Sequence, residues 1–228
     1  KSNIVYKTNS KFFEFNLVDK VENPNYSYVG RLNLKPFYSS FEGETKSINL
    51  AHLFNINSFV PQLLKTGILN KENVDFELKI KANNIFNYWD LVNLNLNSKI
   101  KSGLIDVDQT KYQWKDFADF KLTDSLIFVR DGQLIIDAKL EIDIYKINEI
   151  YKYLLTPKNL RKNMKKIILN FSHNFDQNII TFRDIRLDDE YNQYINKIMS
   201  SVILKDNKLQ NKIYLKNLLN KALEYYSG

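Results

Sequence analysis

The chain has 228 residues, of which 44% are hydrophobic and 26% charged, so it carries enough apolar surface to fold and is not a disordered tract. It has no cysteine and only two histidines, His52 and His173, which excludes disulfides and thiolate chemistry and leaves little for a metal site or a histidine relay. The net charge of +7 comes from 28 lysines against 5 arginines, beside 29 asparagines and 5 alanines. That bias follows AT-rich codons, and base-reading proteins lean on arginine, so nucleic acid is not the expected partner.

The first residues, from Lys1 through Ile4, Val5, Phe12, Phe13 and Phe15, run straight into strand-like sequence without a signal peptide, as expected of a domain cut from a longer protein. Phe13, Phe15 and Leu17 alternate with Glu14 and Asn16, and Tyr28, Gly30, Leu32 and Leu34 alternate with Val29, Arg31 and Asn33. Period two places alternate side chains on opposite faces of a strand. Short helices are expected over Ser47–Phe54 and Ser58–Lys65, the second with Pro61 in its first turn and Gly67 after its end.

The clearest alternation starts at Val74. Val74, Phe76, Leu78, Ile80 and Ala82 share one face, with Asp75, Glu77, Lys79 and Lys81 between them. Val92, Leu94, Leu96 and Ile100 repeat the pattern against asparagines and lysines. Asp131-Gly132 is a two-residue hairpin turn suited to positive φ, and Leu134, Ile136, Ala138, Leu140, Ile142 and Ile144 line one face of the return strand. A helix over Asn148–Leu155 is followed by Thr156-Pro157, a cap-and-first-residue pair for another. Strands from Ile167 and from Ile179 meet through a turn at Asn174–Gln177. Asp188 then stands where it could cap a helix carrying Tyr191, Tyr194, Ile195, Ile198, Met199 and Val202, and a last helix runs from Gln210.

These elements predict an α+β fold, mostly β. A long curved antiparallel sheet of nine or ten strands has one apolar face, short interrupting helices and a C-terminal helical cap. Residues 1–188 form the sheet and 189–228 pack on it as helices, one structural unit. The apolar face requires a cover: helices, a second sheet, or a trough filled by another molecule such as acyl chains, and periodicity does not choose among them.

Candidate chemistry is sparse. Asp106 with Asp108 and Glu141 with Asp143 pair carboxylates on one strand face, the expectation being a solvated face; Asp188-Asp189-Glu190 fits a helix N-terminus. His52 and His173 have no partner at metal spacing. No catalytic residue, metal or cofactor is expected. Between Tyr151 and Phe175 there is no acidic residue, while Lys158, Arg161, Lys162, Lys165 and Lys166 gather positive charge. They are a solvated face or a contact for anionic lipid head groups.

Gly103-Leu-Ile-Asp-Val-Asp-Gln-Thr-Lys-Tyr-Gln-Trp114, Leu122-Thr-Asp-Ser-Leu126 and Asp131-Gly-Gln-Leu-Ile-Ile-Asp-Ala-Lys-Leu140 resemble the C-terminal region of AsmA-like proteins, over about residues 70–187. The resemblance implies a periplasmic β-groove with a hydrophobic floor, belonging to a parent protein anchored in the inner membrane. It implies a non-enzymatic lipid-handling role in phospholipid transport and outer-membrane biogenesis, with phospholipid and other envelope proteins as partners. Phe76, Leu78, Ile80, Leu94, Leu96, Ile136, Leu140 and Ile142 would then be the lipid-facing floor; as core residues they would pack against protein instead. The competing function is a structural or protein-interaction β module of an envelope assembly without bound lipid.

Overall fold

Half-apolar strands must pair edge to edge and share one dry side, and among the described residues a single sheet of fourteen strands does this. The computed structural model describes residues 2–9, 11–19, 24–35, 37–50, 55, 57–70, 74–86, 90–200, 204–205 and 212–226. Strands β1 (Ser2–Lys7), β2 (Phe12–Val18), β3 (Tyr26–Leu34) and β4 (Phe37–Ile48) form an antiparallel meander. β4 pairs with β5 (Val74–Ile85) in parallel, a departure from the expected antiparallel order. A parallel neighbour requires a crossover, and residues 49–73 between them carry helix α1 (Phe59–Lys65) and a 3-10 turn, Ile68–Asn70. Ser47 and Ile48 lie in β4 and not in the expected helix; of its remainder Leu50 is helical, and residues 51–54, with His52, fall outside the described residues.

β6 (Leu91–Lys101), β9 (Ala118–Arg130) and β10 (Gln133–Ile144) continue the sheet. Between β6 and β9 the ladder is split into β7 (Leu104–Asp106) and β8 (Lys111–Trp114). Polar side chains bridge the break. Thr110 Oγ1 donates to the Asn97 carbonyl at 3.2 Å and accepts from its N–H at 3.3 Å, and Asp108 Oδ1 accepts the Ser125 N–H at 2.6 Å. The β9–β10 hairpin turns at Asp131 and Gly132, with φ of 53° and 73°, the left-handed pair that an Asp-Gly turn supplies.

β11 (Lys166–Asn174) and β12 (Ile179–Leu187) complete the meander, with β13 (Glu190–Tyr191) and β14 (Leu204–Lys205) paired to β12. The strand number exceeds nine or ten because these pieces are short. Register slips in β6, β9 and β12 each coincide with a left-handed Asn93, Asp124 or Asp184, the signature of a bulge that increases local twist.

Three buried clusters hold the dry face. Leu64 and Leu69 from the crossover cover Ile105, Ile127, Leu134 and Ile136. Helices α2 (Ile147–Tyr153), α3 (Gln193–Ser200) and α4 (Lys212–Leu223) contribute Tyr151, Ile195 and Leu223 to a second cluster on Ile144, Ile185 and Leu187. The third gathers Ile80, Ala82, Leu94 and Leu96 with Ile48. Helices thus cover the C-terminal end, as expected.

Two expected caps are replaced. Pro157 precedes only a 3-10 turn, Lys158–Leu160, without a side-chain cap bond from Thr156. Asp188 does not cap α3. Its φ is 48°, its Oδ1 accepts the N–H groups of Lys165 and Lys166 at 2.8 and 2.7 Å, and its Oδ2 accepts the Tyr226 hydroxyl at 2.6 Å. Asn192 caps the helix instead, accepting from the N–H groups of Tyr194 and Ile195.

Candidate functional site

Register carries one row of side chains through most of the sheet. Tyr6 faces Phe13, then Leu32, Ser39, Phe76, Ile100, Ile105, Ile127, Ile136, His173 and Ile180, each directly paired with the next. Directly opposed residues point to the same side, so this is one apolar face across eleven strands. His173 enters it with its ring 4.4 Å from that of Phe175, and burial pushes its pKa down against a hydrogen bond with Asn178.

The face is treated differently along its length. Ile80, Leu94, Leu96 and Ile136 are buried in the clusters; Leu78 and Ile142 pack against them half-buried. Phe76 and Leu140 are half-buried on the same face. The eight expected floor residues therefore lie in two stretches: Phe76 to Leu96 on β5 and β6, and Ile136 to Ile142 on β10, where α1 cluster residues and the helical cap meet them.

Strands β1–β3 stand apart. Among the described residues none of theirs is buried, and none belongs to the three clusters. Their dry side is aromatic. Tyr6 and Phe13 rings are 4.7 Å apart, Tyr28 and Phe41 5.0 Å, and Phe15 and Phe41 5.7 Å. Phe15 reaches across Gly30 on the next strand, and Tyr28 across Gly43. The result is a floor of rings laid over backbone that no larger residue would leave accessible. The alternation at Phe13, Phe15 and Leu17 was visible in the sequence; the pairing of rings with glycines on the neighbouring strand needed the register.

The opposite face is wet and charge-paired. Glu14 pairs with Lys7 and Arg31 at 3.4 and 3.5 Å, Glu77 with Lys99 at 3.6 Å, and Arg183 with Asp137 at 3.5 Å. Two shallow concavities of about 440 and 540 Å³ lie on it, the first walled by Asp124, Lys139, Arg183 and Asp184. The paired carboxylates are absorbed structurally. Asp106 Oδ1 accepts the Asp108 N–H at 2.7 Å, and Glu141 lies 3.6 Å from Lys139 and 4.0 Å from Lys166.

Of the basic residues, Lys158 and Lys165 are exposed, while Arg161, Lys162 and Lys166 are half-buried. Arg161 Nε donates to the Thr156 carbonyl at 3.0 Å, and Lys166 turns to the polar face of the sheet. They belong to one loop, 154–165, and the strand it enters. Among the described residues, no helix is long and apolar enough to cross a membrane, and no group of three or more His, Cys, Asp or Glu side chains is placed to hold a metal ion. No family model matches the chain, and comparison with curated proteins and with solved structures finds no significant match.

Proposed function

We propose that the chain is a non-enzymatic lipid-handling module, whose half-buried aromatic face, outside the buried clusters among the described residues, takes phospholipid acyl chains, in support of phospholipid transport and outer-membrane biogenesis in the periplasm. The observation that carries the reading is the continuous apolar row, packed under helices at its C-terminal end and left half-open over β1–β4. A sheet face made of Phe13, Phe15, Tyr28 and Phe41 in water is costly unless something apolar lies on it. Acyl methylenes suit it, each contributing about 0.8 kcal/mol when removed from water. The helix-packed end then acts as the closed terminus of the floor, and phospholipid head groups remain at the wet rim. The resemblance of the 103–140 motifs to AsmA-like proteins is part of the proposal and points to the same role.

The test is organic extraction and mass spectrometry of the purified chain. Phospholipid in stoichiometric amount is expected, falling several-fold in Phe41→Gln with Tyr28→Gln while the fold, read by circular dichroism, is retained. Natively folded protein free of lipid overturns the reading. A second reading has its own observation: no described strand pairs the outer edge of β1, where Ile4 is 70% exposed. A strand of an envelope protein could add there. A lipid-free chain that binds a partner, and loses that binding when β1 is disrupted by Val5→Pro, would favour it.

A further inference from the structure

Leu155 stands where a helix ordinarily ends in glycine. Helix α2 closes with the Thr156 N–H bonded to the Tyr151 carbonyl at 2.8 Å and the Leu155 N–H to the Lys152 carbonyl at 3.1 Å. These are the two bonds of a Schellman ending, whose left-handed residue is most often glycine. Leu155 fills that place with φ of 53° and a side chain 65% exposed. A branched leucine is disfavoured there: the backbone is strained and most of the residue stays exposed. Strain at an exposed position points to use by something outside the fold.

Its surroundings say what. Lys152 lies three residues before it and Lys158 three after; Arg161, Lys162 and Lys165 follow, with no acidic residue between Glu149 and Asp176. Two carboxylates of the region are engaged: Glu149 by Lys152 at 2.7 Å, and Asp188 by two backbone N–H groups and Tyr226. The loop is braced. The Tyr151 hydroxyl donates to the Lys162 carbonyl at 2.7 Å and accepts the Lys162 N–H at 3.2 Å, and Arg161 is fixed to the Thr156 carbonyl. Leu155 is therefore presented on a braced loop whose sequence neighbours, Lys158, Arg161, Lys162 and Lys165, are cationic.

We propose that the 152–165 loop is a docking surface for an anionic lipid bilayer, with Leu155 inserted among the acyl chains and Lys158, Lys162 and Lys165 in the head-group layer. One apolar anchor beside a basic cluster is the two-component arrangement that gives reversible attachment to a charged membrane. It is independent of acyl chains on the β1–β4 floor: a chain that holds no lipid there would still dock.

The experiment is co-flotation of the purified chain with vesicles of phosphatidylcholine alone and of equal parts phosphatidylcholine and phosphatidylglycerol, at low and high salt. Binding is expected only to the second, and weaker at high salt. Leu155→Gly suits the left-handed backbone, so its thermal midpoint should not fall; its vesicle partitioning should drop about tenfold or more. Lys158→Glu with Lys165→Glu should lower it by at least roughly 25-fold, at about fivefold per cation removed. Absence of binding to the charged vesicles, or binding that neither variant alters, overturns the proposal. So does equal binding to both vesicle types. Retention on a single-stranded oligonucleotide without flotation overturns it in favour of nucleic acid. Co-purifying phospholipid should be the same in Leu155→Gly as in the parent chain, which separates this surface from the aromatic floor.

Discussion

The ring of Phe15 occupies the space above Gly30, its directly paired residue on the next strand: a Cβ built on Gly30 would sit 2.1 Å from the ring's Cζ. Glycine in a strand interior is ordinarily a weakness, since it gives up a side chain and costs backbone entropy. Here the neighbouring ring covers it. Gly30→Ala should therefore destabilise by about 1–3 kcal/mol, the cost of overpacking a site with no room. In a Phe15→Leu background the same substitution should be neutral or stabilising, because alanine fits a strand better than glycine once the ring is gone. Denaturant midpoints of the two singles and the double measure the coupling. Additive effects would show that the ring does not lie over the glycine.

The Tyr226 hydroxyl, the Asp188 carboxylate and the N–H groups of Lys165 and Lys166 fasten the C-terminal helix to the start of β11. For Asp188, burial opposes ionisation but the bonds from Tyr226, Lys165 and Lys166 outweigh it together, and the pKa is held below the usual carboxylate value. For Tyr226, burial and then the Asp188 hydrogen bond push the hydroxyl well above its ordinary value. Both signs are fixed by linkage. The Asp188 contribution is present above about pH 4 and lost as pH falls through its depressed pKa. The Tyr226 contribution is present below about pH 10 and lost as pH rises beyond it. Tyr226→Phe should cost about 1.5–3 kcal/mol near neutrality, as for a hydrogen bond to a charged group. The Tyr226→Phe and Asp188→Asn double-mutant cycle, followed by thermal unfolding, should show strong non-additivity.

How far the sequence carries the fold is clear from such particulars. The strands from Val74 to Ile144 are legible because alternation is local and Asp131-Gly132 specifies its turn through positive φ alone. The parallel β4–β5 pair is not legible, since nothing local distinguishes a strand's parallel neighbour from an antiparallel one. Asp188 misleads for the same reason: it sits before a helical pattern like a cap, but a tyrosine 38 residues later claims its carboxylate. On the candidate surface, periodicity marks which residues face the dry side, and it does not say which of them other elements cover. Ile136 and Phe13 share one row, yet Ile136 lies with Leu64 in a buried cluster and Phe13 does not.

Among the described residues of the crossover, Leu64 is the one in the buried core cluster of the sheet that Leu69 also packs against. It is 5% exposed, and its cluster includes Ile105, Ile127, Leu134 and Ile136. Leu64→Ala should cost about 2–5 kcal/mol by opening a cavity there. It should leave the Phe15–Gly30 coupling intact, because the two sites share no cluster. Chemical denaturation of the variant checks the first expectation. Repeating the Gly30→Ala cycle in the Leu64→Ala background checks the second.

His173 gives the last test, because it is the one described histidine and it stands in the apolar row between Ile136 and Ile180. Burial disfavours its imidazolium more than the hydrogen bond with Asn178 supports it, so its folded-state pKa lies below the ordinary value. The unfolded chain then takes up a proton first. Stability is complete above about pH 6.5 and declines as pH falls through that value toward the depressed one. His173→Leu keeps the row apolar and removes the titration. Its unfolding free energy should be flat across that window where the parent chain's falls. A parent profile equally flat, or a variant profile with the same slope, would place the proton elsewhere.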